Sequence, residues 1–549
     1  GRHWSMVAGG MRNAYDFDFN PDGELFVYDS DNEWDWGAPW YRATRLYHAV
    51  SAAEMGWRDG TRAWADTYPD MIRGVMDVGI GSPCGVKFGT RARFPEKYRR
   101  ALFLQDWSYG RILAVHLRPE GASYRGDFEE FLRGQPLNLT SMAFGPDGAM
   151  YFITGGRGTQ SGLYRVHYTG NADPGPSSLA EDPSRPAARD RALRRSLEQW
   201  HGRPGGQDAI DALWPHLASP DVALRYAARA GLESQDPALW RPRLAAESNT
   251  TALLQAALAL TRVGKAPDAM ALAEVLTRLK PDSLTPEQRE AQLRVLQLLL
   301  LRLSPTEPVR RTLRDHLNPQ YPAARWPENR ELSRLLITLE APAVVPRTLD
   351  LLERAASQPE QLHYVSQLRS LRSGWTPADR RRYFAWWLKP RDHLQTPGSL
   401  LHWFHDVGRA YVDGANIDRH LQTFRRDALA AVPRSERDAL LDLTESPIAG
   451  AQLIPPRPRQ FVRAWTMADI LPALDRAGYG RDFERGRRAF IDVQCYACHR
   501  FGNTGGAVGP EISAVASKYG RRELLETLVE PSRVISEQYQ NTRVFLKDG

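Results

Sequence analysis

Cysteine is scarce in this chain, with three in 549 residues. So few thiols exclude a disulfide-stapled scaffold, and the spacing of Cys495 and Cys498 indicates chemistry instead. Long hydrophobic runs are absent too, since the most apolar stretch, Leu298–Leu301, is bounded by Gln297 and Arg302. A membrane helix needs about 20 apolar residues, so we predict no transmembrane span.

The sequence also lacks a block of charge of one sign. Its net charge of +7 comes from 72 basic and 65 acidic side chains that are spread along the chain. Nucleic-acid binders concentrate their Lys and Arg on one face, so we predict no nucleic-acid partner. A hydrophobic content of 42% is ordinary for folded protein, and the length predicts about three or more domains.

Neither end of the chain has the features of a natural terminus. Gly1–Tyr15 lacks the initiator Met, the charged start and the apolar core of a signal peptide. At the other end, Val544–Gly549 is typical of a strand that enters a turn with no partner strand after it. We therefore expect the intact protein to continue at both ends.

Residues 1–168 are predicted to form β structure from recurring hairpins. Asp16–Tyr28 and Ser141–Ile153 each contain a strand, a Pro-Asp-Gly turn and a second strand, and Ala101–Leu117 has the same shape. Four-stranded units of about 40–50 residues are typical of β-propellers. This stretch would supply three or four blades; a β-sandwich with similar turns is the alternative.

Residues 191–445 are predicted to be all-α, after a linker rich in Pro, Ser and Gly at 169–190. The pattern is clearest at Val222–Leu232, which Ser219–Asp221 would cap. Helix pairs joined by short turns are typical of a HEAT-like α-solenoid, and an irregular bundle is the alternative. Further amphipathic segments are Ala252–Val263, Ala269–Leu279, Gln288–Leu303 and Leu332–Leu339.

Two features mark the end of this region. His402 and His405 are three residues apart, but no third metal ligand accompanies them, so we interpret them as half-buried histidines. Ile454–Pro458 stops the helical pattern. We therefore predict a linker at 446–475 and a third, all-α domain at 476–549.

The third domain contains Cys495-Tyr-Ala-Cys498-His499, a C-x-x-C-H element typical of covalent haem c attachment. Two thiols on one turn can reach the two vinyl groups of one porphyrin edge, and His499 follows as the proximal iron ligand. A zinc half-site would need another Cys/His pair, but neither residue occurs after His499. A thioredoxin-like dithiol would need an α/β setting. Phe483–Phe490 and Arg521–Val529 are predicted helices on either side, with Gly486 leaving room for a close helix contact.

The sixth iron ligand is not supplied after the motif. All nine methionines precede it, the last being Met467. We expect the distal ligand to lie beyond Gly549 in the intact protein, with a five-coordinate iron as the alternative.

The whole chain resembles large haem proteins of the Planctomycete/Verrucomicrobia type known as membrane-bound dehydrogenases. In the C-terminal part, the resemblance rests on Phe483–Phe490, Cys495–His499, Gly509–Val515, Tyr519–Glu526 and Glu530–Ile535. It implies a cytochrome c domain that is truncated here.

The N-terminal part resembles the propellers of quinoprotein glucose and sorbosone dehydrogenases. The matching motifs are Gly10–Asn13, Tyr28–Trp34, Ala38–Tyr41, Gly56–Arg58, Gly81–Pro83, Asp106–Gly110 and Gly155–Gly158. In that family an Arg-Asn pair contacts pyrroloquinoline quinone, and the resemblance assigns this role to Arg12 and Asn13. Asp29, Asp31 and Glu33 occupy the stretch beside the family's calcium.

The same acidic stretch can be interpreted from its residues alone. Asp29, Asp31, Glu33 and Asp35 supply four carboxylates within seven residues, and oxygen-rich clusters suit Ca²⁺. The alternative is a solvated acidic loop paired with Arg42 or Arg45. The thiol of Cys84 is expected to be buried and to have no chemical role.

These features favour a c-type haem electron-transfer protein that is an oxidoreductase. The propeller would oxidise a carbohydrate or alcohol, and electrons would pass through haem c to a redox partner protein or the quinone pool. Covalent haem attachment predicts a periplasmic or extracytoplasmic location, with membrane association open. The alternatives are a haem-bearing scaffold that binds carbohydrate or a partner without turnover, and a redox sensor on an adaptor solenoid.

Overall fold

The structure is a computed structural model. It describes residues 4–30, 42–58, 64–79, 81–134, 137–156, 159–170, 180–355, 357–389, 417–446, 448, 456–474, 476, 480–501, 504–505, 509, 512, 515, 521–533 and 535. Sheets occupy the N-terminal part and helices follow.

The N-terminal part contains thirteen described strands and one short helix, α1 (Glu96–Arg99). The strands are β1 (Ala8–Gly9), β2 (Phe17–Phe19), β3 (Leu25–Asp29), β4 (Thr44–His48), β5 (Ala53–Glu54), β6 (Met76–Gly79), β7 (Pro83–Phe88), β8 (Leu102–Asp106), β9 (Arg111–Glu120), β10 (Ser123–Arg133), β11 (Leu139–Phe144), β12 (Met150–Gly156) and β13 (Thr159–Val166).

Three antiparallel meanders follow one another along the chain. Their strand orders are β2-β3-β4-β6, β7-β8-β9-β10 and β11-β12-β13, and a separate parallel pair joins β1 to β5. The hairpins predicted at Pro21–Gly23 and Pro146–Gly148 open the first and third meanders. Gly23 and Gly148 take positive φ values of 78° and 73°, as the turn chemistry predicts.

The second meander packs against both of its neighbours. Along β8, Leu102 and Leu104 join the core shared with the first sheet, whereas Phe103 and the preceding Ala101 join the core shared with the third. This alternation follows from the two-residue period of a strand, which sends successive side chains to opposite faces. The N-terminal part therefore consists of successive antiparallel sheets that pack face to face.

The helical part begins after residue 185 and forms one continuous apolar core of mainly Leu and Ala. Its helices are α2 (Pro186–Glu198), α3 (Gly206–Leu213), α4 (Val222–Leu232), α5 (Pro237–Ala246), α6 (Thr250–Val263), α7 (Asp268–Thr277), α8 (Pro286–Arg302), α9 (Glu307–Leu317), α10 (Trp326–Thr338), α11 (Val344–Arg354), α12 (Gln358–Leu368), α13 (Pro377–Trp386), α14 (Ile417–Ala430), α15 (Arg434–Arg437) and α16 (Leu441–Thr444).

Each amphipathic segment predicted between 222 and 339 overlaps a helix, although Ala269–Leu279, Gln288–Leu303 and Leu332–Leu339 run one or two residues past its C-terminal end. The cap of α4 differs in detail: Asp221, not Ser219, is the N-cap and accepts from the Leu224 amide at 2.9 Å. An N-cap carboxylate satisfies an amide that the helix itself cannot pair. His402 and His405 lie outside the described residues.

Sheets and helices meet through a buried polar interface. His48 on β4 contacts Ser123 Oγ through Nδ1 at 3.0 Å and Glu24 Oε2 through Nε2 at 2.8 Å. Glu24 also pairs with Arg194 of α2. Burial alone would raise the pKa of Glu24, but the His48 hydrogen bond and the Arg194 charge lower it to about 2. Burial lowers the pKa of His48.

The C-terminal described residues form short elements. They are α17 (Met467–Ile470), α18 (Phe483–Asp492), α19 (Cys495–Cys498), β14 (Arg500–Phe501), β15 (Thr504–Gly505) and α20 (Arg521–Val529). The two helices predicted on either side of the C-x-x-C-H element are present. None of the helices in the described ranges has the length and apolarity that a membrane crossing requires.

Candidate functional site

The two cysteines of the C-x-x-C-H element lie on a single helical turn, Cys495–Cys498, shortly after α18, and His499 follows it in an extended conformation. Asp482 caps α18 by accepting from the Arg485 amide at 2.9 Å. After the helix, Gln494 takes a positive φ of 64°, which redirects the chain before Cys495. The His499 amide donates to the Cys495 carbonyl at 2.8 Å, so the two thiol-bearing residues are held one turn apart. Residues three apart on a helix share a face.

His499 lies against a glycine backbone. The Gly509 amide donates to the Cys498 carbonyl at 2.8 Å. A Cβ at Gly509 would come within 2.9 Å of His499 Cε1 and 3.0 Å of Nδ1. A side chain here would therefore press on the imidazole, and only glycine lets the ring and this backbone approach so closely.

The thiols are chemically available for attachment. Cys495 and Cys498 are both free, and Cys498 is exposed. Burial raises the pKa of Cys495, so this thiol is protonated at neutral pH and is not an activated thiolate. Cys495 thus lacks the lowered pKa that the attacking thiol of a catalytic dithiol requires.

The described residues around the motif form little apolar core of their own. Among the described residues from 456 onward, the buried hydrophobic side chains are Ile491 and Tyr496. Large hydrophobic side chains are instead exposed at Phe461, Val462, Trp465, Phe483, Val493, Phe501, Leu528 and Ile535. A domain this small rarely folds without a larger core or a bound group. A porphyrin would supply the missing apolar centre, so these residues fit a haem.

The described residues do not make one contact that the sequence predicts. Gly486 is expected to permit close helix packing, yet no atom of the described residues lies within 4 Å of the position that its Cβ would take. Within the part of the chain that the structure describes, Gly486 is an open position on α18 and contrasts with Gly509.

The second candidate site contains Arg12, Asn13 and Asp29, which we call the shelf. Asp29 ends β3, and its Oδ2 and Oδ1 accept from the backbone amides of Arg12 at 2.9 Å and Asn13 at 2.8 Å. The Arg12 guanidinium reaches Ser30 Oγ at 3.4 Å, and Asn13 is exposed. Burial raises the pKa of Asp29, although the two backbone bonds oppose the rise. The structure therefore brings all three predicted residues together.

The role of Asp29 in this geometry is to hold the backbone of residues 12 and 13. Asp106 occupies the same place at the end of β8, where its Oδ1 accepts from the Ser82 amide at 2.9 Å. Arg111 Nε donates to Asp106 Oδ2 at 2.8 Å. Each carboxylate thus ties the end of the second strand in its sheet to the segment that precedes the first strand. The repeat of Leu-Phe-Val-Tyr-Asp at 25–29 as Leu-Phe-Leu-Gln-Asp at 102–106 is the sequence signal from which Asp106 could have been predicted.

That repeat corrects one detail of the sequence interpretation. Ala101–Leu117 does form a hairpin, but it joins the second and third strands of its sheet rather than the first two. It is therefore out of phase with Asp16–Tyr28 and Ser141–Ile153.

The calcium prediction depends on residues beyond this geometry. Asp31, Glu33 and Asp35 lie outside the described residues, and within the described ranges no group of three or more His, Cys, Asp or Glu could hold a metal ion. Asp29 uses both oxygens for backbone amides. Arg45, which lies opposite Asp29 on β4, pairs with Asp66 and Asp77 instead.

Cys84 on β7 is half-buried, and its Sγ donates to the Ser82 carbonyl at 3.5 Å. Burial, followed by the Asp106 charge, raises the pKa of this thiol to about 12. It is accordingly unreactive at neutral pH.

Comparison with known proteins gives limited similarity. No protein-family model matches the chain, and no curated protein matches it. An oxidoreductase (glucose dehydrogenase) from Thermus thermophilus is 20% identical over 29% of this chain and 46% of its own, with a TM-score of 0.24.

Two further solved structures are similar at the same level. A glucose dehydrogenase is 21% identical over 30% of this chain and 47% of its own, with a TM-score of 0.24. The PQQ-bound form of an aldose sugar dehydrogenase from Streptomyces coelicolor is 16% identical over 29% and 44%, with a TM-score of 0.21. This chain spans under half the length of these structures. Similarity at this level carries no conclusion about activity.

Proposed function

We propose that this chain is a c-type haem electron-transfer protein. The observation that carries the proposal is the combination at the motif: two free thiols one helical turn apart, a following histidine packed on Gly509, and exposed apolar side chains around them. Zinc and dithiol chemistry would not account for the exposed apolar surface. A porphyrin accounts for all three features.

In this function each residue of the motif has a distinct task. Cys495 and Cys498 would hold the haem through thioether bonds, and His499 would be the proximal iron ligand. The Gly509 backbone lies against the imidazole, so a side chain at position 509 would press on the ring. The bound haem would supply a reversible one-electron couple.

The electron source in this proposal is the sheet region. The resemblance of Arg12 and Asn13 to a quinone-binding pair supports oxidation of a carbohydrate or alcohol there, with pyrroloquinoline quinone as cofactor. Arg12 would bind an anionic group, and Asp29 holds the backbone that presents it. Electrons would leave to a redox partner protein or the quinone pool, in a periplasmic or extracytoplasmic setting.

The proposal assigns each region of the chain to a kind of domain. We assign the sheets up to residue 168 to propeller blades, residues 191–445 to a HEAT-like solenoid and residues 476–549 to a cytochrome c domain. The solenoid would hold the two redox regions in one molecule. Its continuous core and its buried contacts with the sheets support that role.

The first test is haem attachment after export with cytochrome c maturation machinery. A denaturing gel stained for haem should show a stained wild-type band. The Cys498→Ala band should be unstained, or only weakly stained, because a single thioether bond at Cys495 would remain. A wild-type protein without stain would refute the haem proposal.

Two glycines supply a matched pair for the histidine. Gly509→Ala places a methyl about 3 Å from the His499 ring and should lower haem loading or shift the Soret band. Gly486→Ala meets nothing within 4 Å and should behave as wild type. Equal spectra for both variants would contradict the assigned position of His499.

A second candidate function is a haem-bearing scaffold that binds carbohydrate or a partner without turnover. The observation that favours it is Asp29, whose two oxygens accept hydrogen bonds from the backbone amides of Arg12 and Asn13. Haem reduction that depends on added sugar or alcohol supports the oxidoreductase. Binding on a glycan array without haem reduction supports the scaffold.

A further inference from the structure

The carboxylate of Asp492, the last residue of α18, pairs with three arginines. Arg457 donates to it from its backbone amide at 3.1 Å and from Nη2 at 2.8 Å. Arg459 Nη2 lies at 3.1 Å and Arg488 Nη2 at 2.8 Å. The Asp492 side chain is 1% exposed. The hydrogen bond from Arg457 is the main reason that the pKa of Asp492 lies well below its usual range, so the carboxylate is ionised.

The three arginines are far more exposed than the carboxylate that they share. Their side chains are 62%, 52% and 32% exposed for Arg457, Arg459 and Arg488. Three guanidinium groups against one carboxylate leave a net local charge of +2 at the surface. The nearby Glu484 pairs with Arg487, so it does not cancel this excess.

This positive surface adjoins the motif. Asp492 is three residues before Cys495, so the three guanidinium groups gather at the end of the helix that leads into the motif. A charged surface beside a redox site is typical of small, transient interfaces in which opposite charge steers the encounter.

We propose that Arg457, Arg459 and Arg488, which we call the arginine rim, form the docking site of an acidic redox protein. The inference rests on the proposed haem function and names its partner. The bound haem would supply one electron, and a one-electron centre in the partner would accept it; no bond would form or break and no proton would move. Opposite charge would raise the rate of encounter.

The test measures oxidation of the ferrous full-length protein by stopped flow. The probe is an acidic blue-copper protein, and tris(phenanthroline)cobalt(III) serves as a cationic comparison. In the double variant Arg457→Gln, Arg459→Gln, the rate constant with the blue-copper protein should fall about five- to tenfold at ~10 mM ionic strength. The cobalt complex should react at the same rate or faster.

Three controls separate charge from fold. Arg457→Lys, Arg459→Lys keeps both charges and should retain the wild-type rate. Arg278→Gln, Arg311→Gln removes two exposed charges from the helical region and should leave the rate unchanged. In the wild type, the rate with the blue-copper protein should fall steeply as salt is added, a measurement that needs no variant.

Haem content, measured separately as the pyridine haemochrome, distinguishes the two claims. Loaded protein whose rate ignores both salt and the Gln variants would overturn the arginine rim and leave the haem proposal standing. Protein without haem would overturn both. Binding to phosphatidylglycerol vesicles that the Gln variants abolish, with unchanged blue-copper kinetics, would show a membrane-binding surface instead.

Discussion

Asp70 and Arg294 form a buried ion pair between the sheet region and α8. Arg294 Nε and Nη2 donate to the two Asp70 oxygens at 3.1 and 2.8 Å. The side chains are 8% exposed for Arg294 and 0% for Asp70. The guanidinium also lies 4.4 Å from the Trp64 ring and 4.2 Å from the Tyr68 ring, so aromatic faces cover what the carboxylate does not.

Removing one partner of this pair should cost more than removing both. Asp70→Ala leaves the Arg294 charge buried, and breaking a buried pair in this way typically costs about 3–5 kcal/mol of unfolding free energy. Arg294→Met leaves Asp70 buried and also loses the two aromatic contacts. The double variant Asp70→Ala, Arg294→Met leaves no buried charge. We therefore expect the double variant to lose less unfolding free energy than the two single variants lose in total, by at least about 2 kcal/mol.

The measurement is urea unfolding followed by circular dichroism at 222 nm, with the slopes compared before midpoints are converted to free energies. Arg381 and Asp442 provide the matched control, because they make the same two-point contact at 3.1 and 2.7 Å with side chains 50% and 58% exposed. Asp442→Ala should barely move the midpoint. If Asp70→Ala costs no more than Asp442→Ala, or if the double variant is additive, the buried-pair reasoning is wrong.

Two other predictions concern carboxylates that join parts of the fold. The pKa of Glu24 is lowered to about 2, so the ionised carboxylate stabilises the fold fully above about pH 4.5, and this stabilisation, roughly 3 kcal/mol in all, is lost as pH falls toward 2. Glu24→Gln should remove this acid-sensitive component when the urea midpoint is measured against pH. An unchanged pH profile in the variant would contradict the prediction. Asp29→Ala should leave two amides without their carboxylate and cost about 1–3 kcal/mol. Hydrogen exchange at the Arg12 and Asn13 amides should then accelerate, whereas exchange at the Ser82 amide should not. Asp106→Ala should give the reverse pattern, because Asp106 accepts from Ser82. Uniform acceleration in both variants would show that neither carboxylate acts locally.

Local features of this protein could be predicted because they depend on neighbours in the chain. The Pro-Asp-Gly turns at 21–23 and 146–148, the helix at Val222–Leu232 and the helix at Arg521–Val529 all follow from backbone preferences and short-range periodicity. The C-x-x-C-H spacing likewise places both thiols within one helical turn. These predictions needed no knowledge of which segments meet.

Other features required the tertiary structure because distant partners create them. The sequence placed Asp29 among possible calcium ligands, but the return of residues 12 and 13 to the end of β3 made it a backbone acceptor. Asp492 gathers Arg457 and Arg459 from 35 and 33 residues away, and Asp70 meets Arg294 across 224. Gly486 and Gly509 look alike in sequence, yet only Gly509 lies under a histidine ring. Spacing along the chain determines which groups can share a turn; the packing of elements determines which charge, amide or ring each group finally meets.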